Sequence, residues 1–279
     1  MFQNRNLLIG IAAAVLVVVV GAIVVFSTVL RPPEAPSEPI AAATLAVASP
    51  TTAPTAEPTA TSAPTATAEP PAETAEADAP EPTAEPTATP EPTATPEPTA
   101  TLAPQPVLFE IVPAESQVRF TLGELLAGAP NTVVGVTDQV AGQIAVALGD
   151  AASAQMGEIR INARTLATDN QFRNRAIANQ ILDSNTYEFI TFVPQAISGL
   201  PASVAVGEEV TFEILGDLTI REMTNPVTFV VTATAVSETR LEGTASATVT
   251  RAAFDLTIPQ VEGVANVDEE VLLEIDFVA

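Results

Sequence analysis

Val210-Thr211-Phe212-Glu213-Ile214 (VTFEI) and Val227-Thr228-Phe229-Val230-Val231 (VTFVV) set the reading of the chain. In each, alternate side chains are apolar around a central Phe. A period of two places them on one face of a pleated strand, directed into a core. The same alternation runs through Val118, Phe120 and Leu122, through Phe254, Leu256 and Ile258, and through Val271, Leu273, Ile275 and Phe277. Further strands are expected near Leu108–Val112, Val140–Leu148, Glu158–Ala163, Glu188–Val193 and Leu241–Thr250. One stretch departs from this pattern. In Asp169–Leu182, Phe172, Ala176, Ile177 and Ile181 fall at helical spacing, with Asp169 as the expected cap. The reading is an all-β antiparallel domain over 107–279 with one short helix. Eight or more strands must hide their edges, and closure into an eight-stranded barrel does so completely; a sandwich is the alternative. A barrel of that size can hold one small apolar ligand.

Two different segments precede this domain. Leu7–Leu30 is a run of 24 residues without a formal charge. At 1.5 Å per residue it reaches about 36 Å, enough to cross a hydrocarbon core of about 30 Å with some tilt. Residues 1–31 are therefore expected to be a transmembrane signal anchor. A cleaved signal peptide is the alternative, but the run is long for one, and neither an Ala-x-Ala site nor a lipidation Cys follows. Arg5 lies before the run, and Glu34 and Glu38 soon after it, a weak bias toward an inside amino terminus. The expected location is the cell membrane, single-pass, with the C-terminal domain extracytoplasmic. Residues 32–106 hold 19 of the 25 Pro and repeat Glu-Pro-Thr-Ala-Thr-Pro at 85–90 and 91–96. Such a segment has too few large apolar residues to offset the entropy of ordering, and its Pro favour extended backbone. It reads as a disordered, semi-rigid spacer, with Thr beside Pro suited to O-glycosylation.

Composition narrows the chemistry. The chain has 34 Asp and Glu against 10 Arg, no Lys, no His, no Cys and no Trp, for a net charge of -24. Cys/His zinc sites, Ser-His-Asp triads, P-loops, thiolate nucleophiles and Schiff bases each need a residue that is absent. Nucleic acid is not an expected partner of so acidic a chain. The 23 Asp and Glu of the domain leave carboxylate catalysis open in principle, but no motif singles out a pair, and no enzyme activity is expected. Asp268-Glu269-Glu270 and Glu208-Glu209 read as solvated turns. They lack the ligand spacing of a Ca²⁺ loop, so no metal and no cofactor are expected.

Four blocks of the domain resemble, in order and spacing, the YceI-like, polyisoprenoid-binding family. They are Ile111–Phe120 (IVPAESQVRF); Ile161–Phe192, with Thr168-Asp169-Asn170, Arg173, Arg175, Asp183 and Tyr187–Phe192; Leu215–Val227 (LGDLTIREMTNPV); and Arg251–Leu256. The family usually has His where Glu115 stands, Asp where Asn174 stands, and Gly where Glu222 and Asp255 stand. The resemblance implies an extended, lipocalin-like barrel enclosing a long amphiphile such as an isoprenoid quinone or a fatty-acid derivative. On that reading Phe120, Phe172, Ile190, Phe192, Phe212, Phe229 and Phe254 line an apolar cavity, and Arg173 and Arg175 stand at its rim. The plainer alternatives are that the Phe fill a solid core, and that Arg173, Arg175, Asp169 and Asp183 form surface ion pairs pinning the helix, each worth about 0–1 kcal/mol. The expected function is a membrane-tethered protein that carries, stores or sequesters a lipid-like or isoprenoid-like small molecule. A surface display or adhesion module with a solid barrel is the alternative. Oligomeric state stays open, a homodimer included.

Overall fold

The computed structural model describes residues 16, 18–20, 31–45 and 105–279. The chain divides into two compact units. One comprises Met1–Val47 and Pro104–Ala279; the other, Ala48–Ala103, lies outside the described residues. Among the described residues no helix is long and apolar enough to cross a membrane. The expected anchor run, 7–30, falls almost wholly outside them.

The long strands are β2 (Gln117–Leu126), β3 (Ala129–Thr137), β8 (Phe189–Ser198), β9 (Glu209–Ile220), β10 (Met223–Ser237), β11 (Arg240–Thr250) and β13 (Glu270–Val278). With the shorter β7 (Ile159–Asn162) they pair in the order β3-β2-β13-β11-β10-β9-β8-β7, every pairing antiparallel. The sheet curls until its ends almost meet. A two-residue strand, β4 (Val140–Ala141), continues from β3 and pairs with β7, and Val136 bridges to Ala167. The result is a nearly closed barrel.

The count exceeds the eight strands expected. A separate three-stranded sheet, β1 (Val107–Glu110), β5 (Gln143–Ala147) and β6 (Asp150–Met156), extends one end, and β12 (Val264–Ala265) adds to the edge of β2. The expected strand 140–148 is thus two strands, parted at Gly142, each serving a different sheet. The expected strand at Phe254–Ile258 does not form. Ala252–Phe254 is a 3₁₀ turn, and Asp255 ends it in the left-handed region (φ 51°). That conformation takes Asp255 out of any ladder, and it explains why a Gly suits the position.

Register sets the interior. Phe229 lies opposite Ile214, Val231 opposite Phe212, Phe192 opposite Leu218, and Phe120 opposite Leu273. Two glycines make room for the inward rings. A Cβ on Gly135 would sit 2.1 Å from the Phe120 ring, and one on Gly216 2.5 Å from the Phe192 ring. The Phe192 and Phe229 rings meet edge to face, centroids 5.0 Å apart. The main core includes Phe192, Ile214, Leu218, Phe229 and Phe254; a smaller cluster of Phe109, Val146, Ala151, Ala235 and Leu241 fills the end extended by β1, β5 and β6.

The helix, α1 (Gln171–Ala176), runs on as one π turn, Ile177–Ile181. Its cap is Asn170, not Asp169: the Asn170 side chain accepts from the backbone N–H groups of Phe172 and Arg173 at 2.9 and 3.2 Å. The helix stands at the barrel end where β9 turns into β10, and Arg221 of that hairpin donates to the Ile181 carbonyl. Arg221 takes φ 58°, so the residue in the left-handed region is the one before Glu222, whose carboxylate accepts from Tyr187 Oη.

The expected spacer begins at residue 32, yet residues 31–45 run against the outside of the barrel. Asn179 Nδ2 donates to the Arg31 carbonyl (2.7 Å), Glu34 N–H to Asn185 Oδ1 (3.1 Å), Ser37 N–H to Glu188 Oε1 (2.8 Å) and Leu45 N–H to Gln143 Oε1 (2.8 Å). Arg164 reaches the Ala35 carbonyl and ion-pairs with Glu188 at 3.0 Å. Burial pushes the Glu188 carboxyl up, but hydrogen bonds from Ser37 and Asn162 and the Arg164 charge prevail, holding it below the usual glutamate value.

Candidate ligand-binding site

The barrel encloses two chambers. The inner one, about 180 Å³, runs from Ile220 at the helix end to Leu241 and Val204 at the other. Arg119 and Glu274 are its polar wall residues, facing each other on paired strands; the rest of the wall is apolar. The outer chamber, about 470 Å³, lies under α1 and is completed by the irregular chain after Arg251. Phe120, Leu166, Ile190, Ile220 and Leu273 line both, so the two share a wall.

Phe120, Ile190, Phe192, Phe212 and Phe229 all line the inner chamber. Phe192 and Phe229 are buried, whereas Phe120, Ile190 and Phe212 are only half-buried although they point inward. A side chain directed into a barrel keeps accessible surface only where neighbours leave a void. An apolar void of such size stays dry and takes apolar guests; a cavity of about 150 Å³ can hold a benzene-sized molecule. Phe254 and Phe172 line the outer chamber instead. Phe254 is fully buried core, and Phe172 is 71% exposed, so it marks the opening rather than the wall.

The two expected rim arginines part company. Arg173 lines the outer chamber, and its guanidinium donates to Glu124 Oε1 (2.8 Å) and Asp169 Oδ1 (2.6 Å). Arg175 lines neither chamber; its guanidinium lies 5.8 Å from the Phe172 ring centroid. The helix period explains this, since side chains two residues apart point about 200° apart around the axis.

Sequence reading missed Glu124. It is buried, and it also accepts from Asn131 Nδ2 at 2.9 Å. Its signal was present: Glu124 continues the inward series Val118, Phe120, Leu122. Arg251 was quoted only as part of a motif. It organises the outer wall by donating to the carbonyls of Asp268 (2.7 Å) and Val267 (3.1 Å) and to Glu269 Oε2 (2.9 Å). Glu269 and Asp268 are tied up further, by the backbone N–H groups of Ala252 and Gly123. Among the described residues no group of three or more Asp or Glu is placed to hold a metal ion. What the arrangement offers is a long, mostly apolar chamber beside a wider one whose polar lining includes the Arg173–Glu124 pair.

No curated protein matches the chain at a significant level. Among solved structures it is similar to Burkholderia cenocepacia BcnA, at 23% identity over 61% of this chain and 99% of that one, with a TM-score of 0.48. A polyisoprenoid binding domain from Saccharophagus degradans, implicated in plant cell wall breakdown, is similar at 14% identity over 61% of this chain and 95% of that one (TM-score 0.47). The Campylobacter jejuni YCEI protein is similar at 13% identity over 50% and 80% (TM-score 0.41). The family model for the YceI-like domain matches residues 109–279, from within β1 to the last residue. With that match covering every long strand and both chambers, the chain belongs to the YceI-like domain family.

Proposed function

We propose that the barrel binds one amphiphile of the isoprenoid-quinone or fatty-acid kind, with its apolar chain in the inner chamber and its polar end in the outer chamber near Arg173 and Glu124. The observation that carries this reading is the wall the two chambers share: an almost wholly apolar chamber along the barrel lies against a wider one lined by the Arg173–Glu124 ion pair. Burial of about 25 cal/mol per Å² of apolar surface would supply the affinity. The paired Arg173 and Glu124 offer donors and an acceptor without net charge, which suits an uncharged or zwitterionic head. The role is carriage, storage or sequestration without catalysis. The uncharged run Leu7–Leu30 supports a membrane tether, with the barrel on the extracytoplasmic side. A solid display module is disfavoured by the half-buried inward Phe120 and Phe212.

The test is organic extraction and mass analysis of the purified full chain. An apolar-chain molecule should leave with the wild type and be lost from Ala233→Trp, which fills the inner chamber, while the β-sheet circular dichroism stays. A wild type that carries nothing, and takes up nothing when offered a polyprenol or a quinone, sinks the reading.

A further inference from the structure

The opening of the outer chamber carries three exposed large apolar side chains beside the exposed Asn170, Thr250 and Glu262. Phe172 is 71% exposed, Val261 52% and Leu126 44%, and all three line that chamber. Beside them Arg175 has no carboxylate at ion-pair distance among the described residues, and it lies over the Phe172 ring. An exposed aromatic with an unneutralised guanidinium matches the boundary between acyl chains and phosphate headgroups.

The path of the chain indicates what covers this opening. The uncharged run ends at Leu30, and the Arg31 carbonyl accepts from Asn179, in the π turn that continues α1. Asn179 is seven residues from Phe172 along one helical segment, about 10 Å of rise. Next, Glu34, Ala35 and Ser37 are held by Asn185, Arg164 and Glu188, so Arg31 is not free to swing away from the barrel. A chain leaving a bilayer at Arg31 would therefore hold the Phe172 end of the barrel against that bilayer, and the far hairpin away from it. β10, a strand of 15 residues, is about 50 Å long, and at a barrel tilt of about 35–45° it separates the two ends by about 35–40 Å.

We infer that the Phe172–Val261–Leu126 rim docks into the surface of the membrane holding residues 7–30, so that the outer chamber opens onto lipid and an apolar ligand enters without crossing water. This rests on the tether proposed above. Residues 31–45, the described part of the Pro-rich segment, follow the barrel and fix its orientation.

The chain has no Cys, so single labels are clean. Full-length Phe172→Cys, Val261→Cys, Leu16→Cys and Val236→Cys, each carrying an environment-sensitive fluorophore, are reconstituted in phosphatidylcholine vesicles and floated. Quenching by an acyl-chain nitroxide is compared with quenching by aqueous iodide. The expected result is strong nitroxide quenching at residues 16, 172 and 261, several-fold above that at residue 236, where iodide dominates. If the protein floats and residue 16 reports lipid while residues 172 and 261 behave like residue 236, the tether stands and the docking is overturned. Labels at residues 172 and 261 shielded from both quenchers would mean a protein partner or a second copy on the rim, and also overturn it. Failure to float would remove the tether and the docking together.

Discussion

The inner chamber is walled by strands paired over most of their length, Phe229 against Ile214 and Val231 against Phe212, while the outer chamber depends on α1, a 3₁₀ turn and irregular chain between Asp255 and Gly263. In the first, one register fixes every inward side chain, and slipping it would turn a whole face outward. In the second, position depends on individual contacts: Arg173 on Glu124, Arg251 on the carbonyls of Val267 and Asp268, Asn170 on the start of α1. The same molecule thus has a wall that opens only with the fold and a wall that can open locally, the pattern expected of a binding protein whose ligand must get in and out.

The sharpest way to break this contrast is inside the inner chamber. Phe192→Ala removes a buried ring packed edge-on against Phe229 and should cost about 3–5 kcal/mol in denaturant unfolding. Phe212→Ala, at a half-buried ring beside the void, should cost clearly less. Equal losses would mean that Phe212 is close-packed core and that the chamber does not continue past it.

In the outer chamber, Glu124→Gln leaves the half-buried Arg173 guanidinium without its inner carboxylate. The expected loss is about 1–3 kcal/mol, larger than for an exposed pair. Combined with Arg173→Met, a double-mutant cycle should give a coupling of about 0.5–3 kcal/mol. A coupling near zero would return this pair to the surface kind.

Asp255→Gly should stabilise by about 0.5–1 kcal/mol, because Gly adopts φ 51° without the Cβ penalty. A rise in Tm with unchanged ligand retention would confine the gain to the outer wall; destabilisation would show that the Asp255 side chain matters there.

The smallest effect concerns residues 31–45, outside both chambers. Glu188 is held below its ordinary value in the folded state, so its contribution is fully present above the unfolded glutamate value and is lost as pH falls through the lower folded one. Acidification should therefore free the Ser37 amide to exchange before the barrel strands do, and Glu188→Gln should flatten that pH dependence. An amide whose exchange is insensitive to acid over that range would show that Glu188 does not fasten the segment.

How much of this was legible in the residues differs between the chambers. The inward series on β2, β9, β10 and β13 pointed to Phe120, Phe212 and Phe229, and the structure places all three on the inner chamber's wall, because a strict period of two has one physical meaning in a half-buried strand. The same rule misread Phe254–Ile258. The alternation is there, but Asp255 in the left-handed region stops any ladder, and the register that would pair it belongs to neighbours distant in sequence. β3 and β6 were not named at all. β3 begins Ala-Pro-Asn and β6 is Asp-Ala-Ala-Ser-Ala-Gln-Met, too small and polar to announce a strand, and their partners β2 and β5 supply the order.

The sequence by itself determined the class of the fold, the place of the barrel domain's short helix, the family and the exclusion of His, Cys and Lys chemistry, because each follows from local periodicity or from residues present or absent. Only the tertiary structure decided that Phe120 and Phe212 border a void while Phe192, Phe229 and Phe254 pack in the core, that Arg173 turns to a buried glutamate 49 positions away while Arg175 turns out, and that residues 31–45 lie on the barrel. Voids and long-range pairs depend on how curved strands close on one another, and closure is set by register between segments that no local window contains.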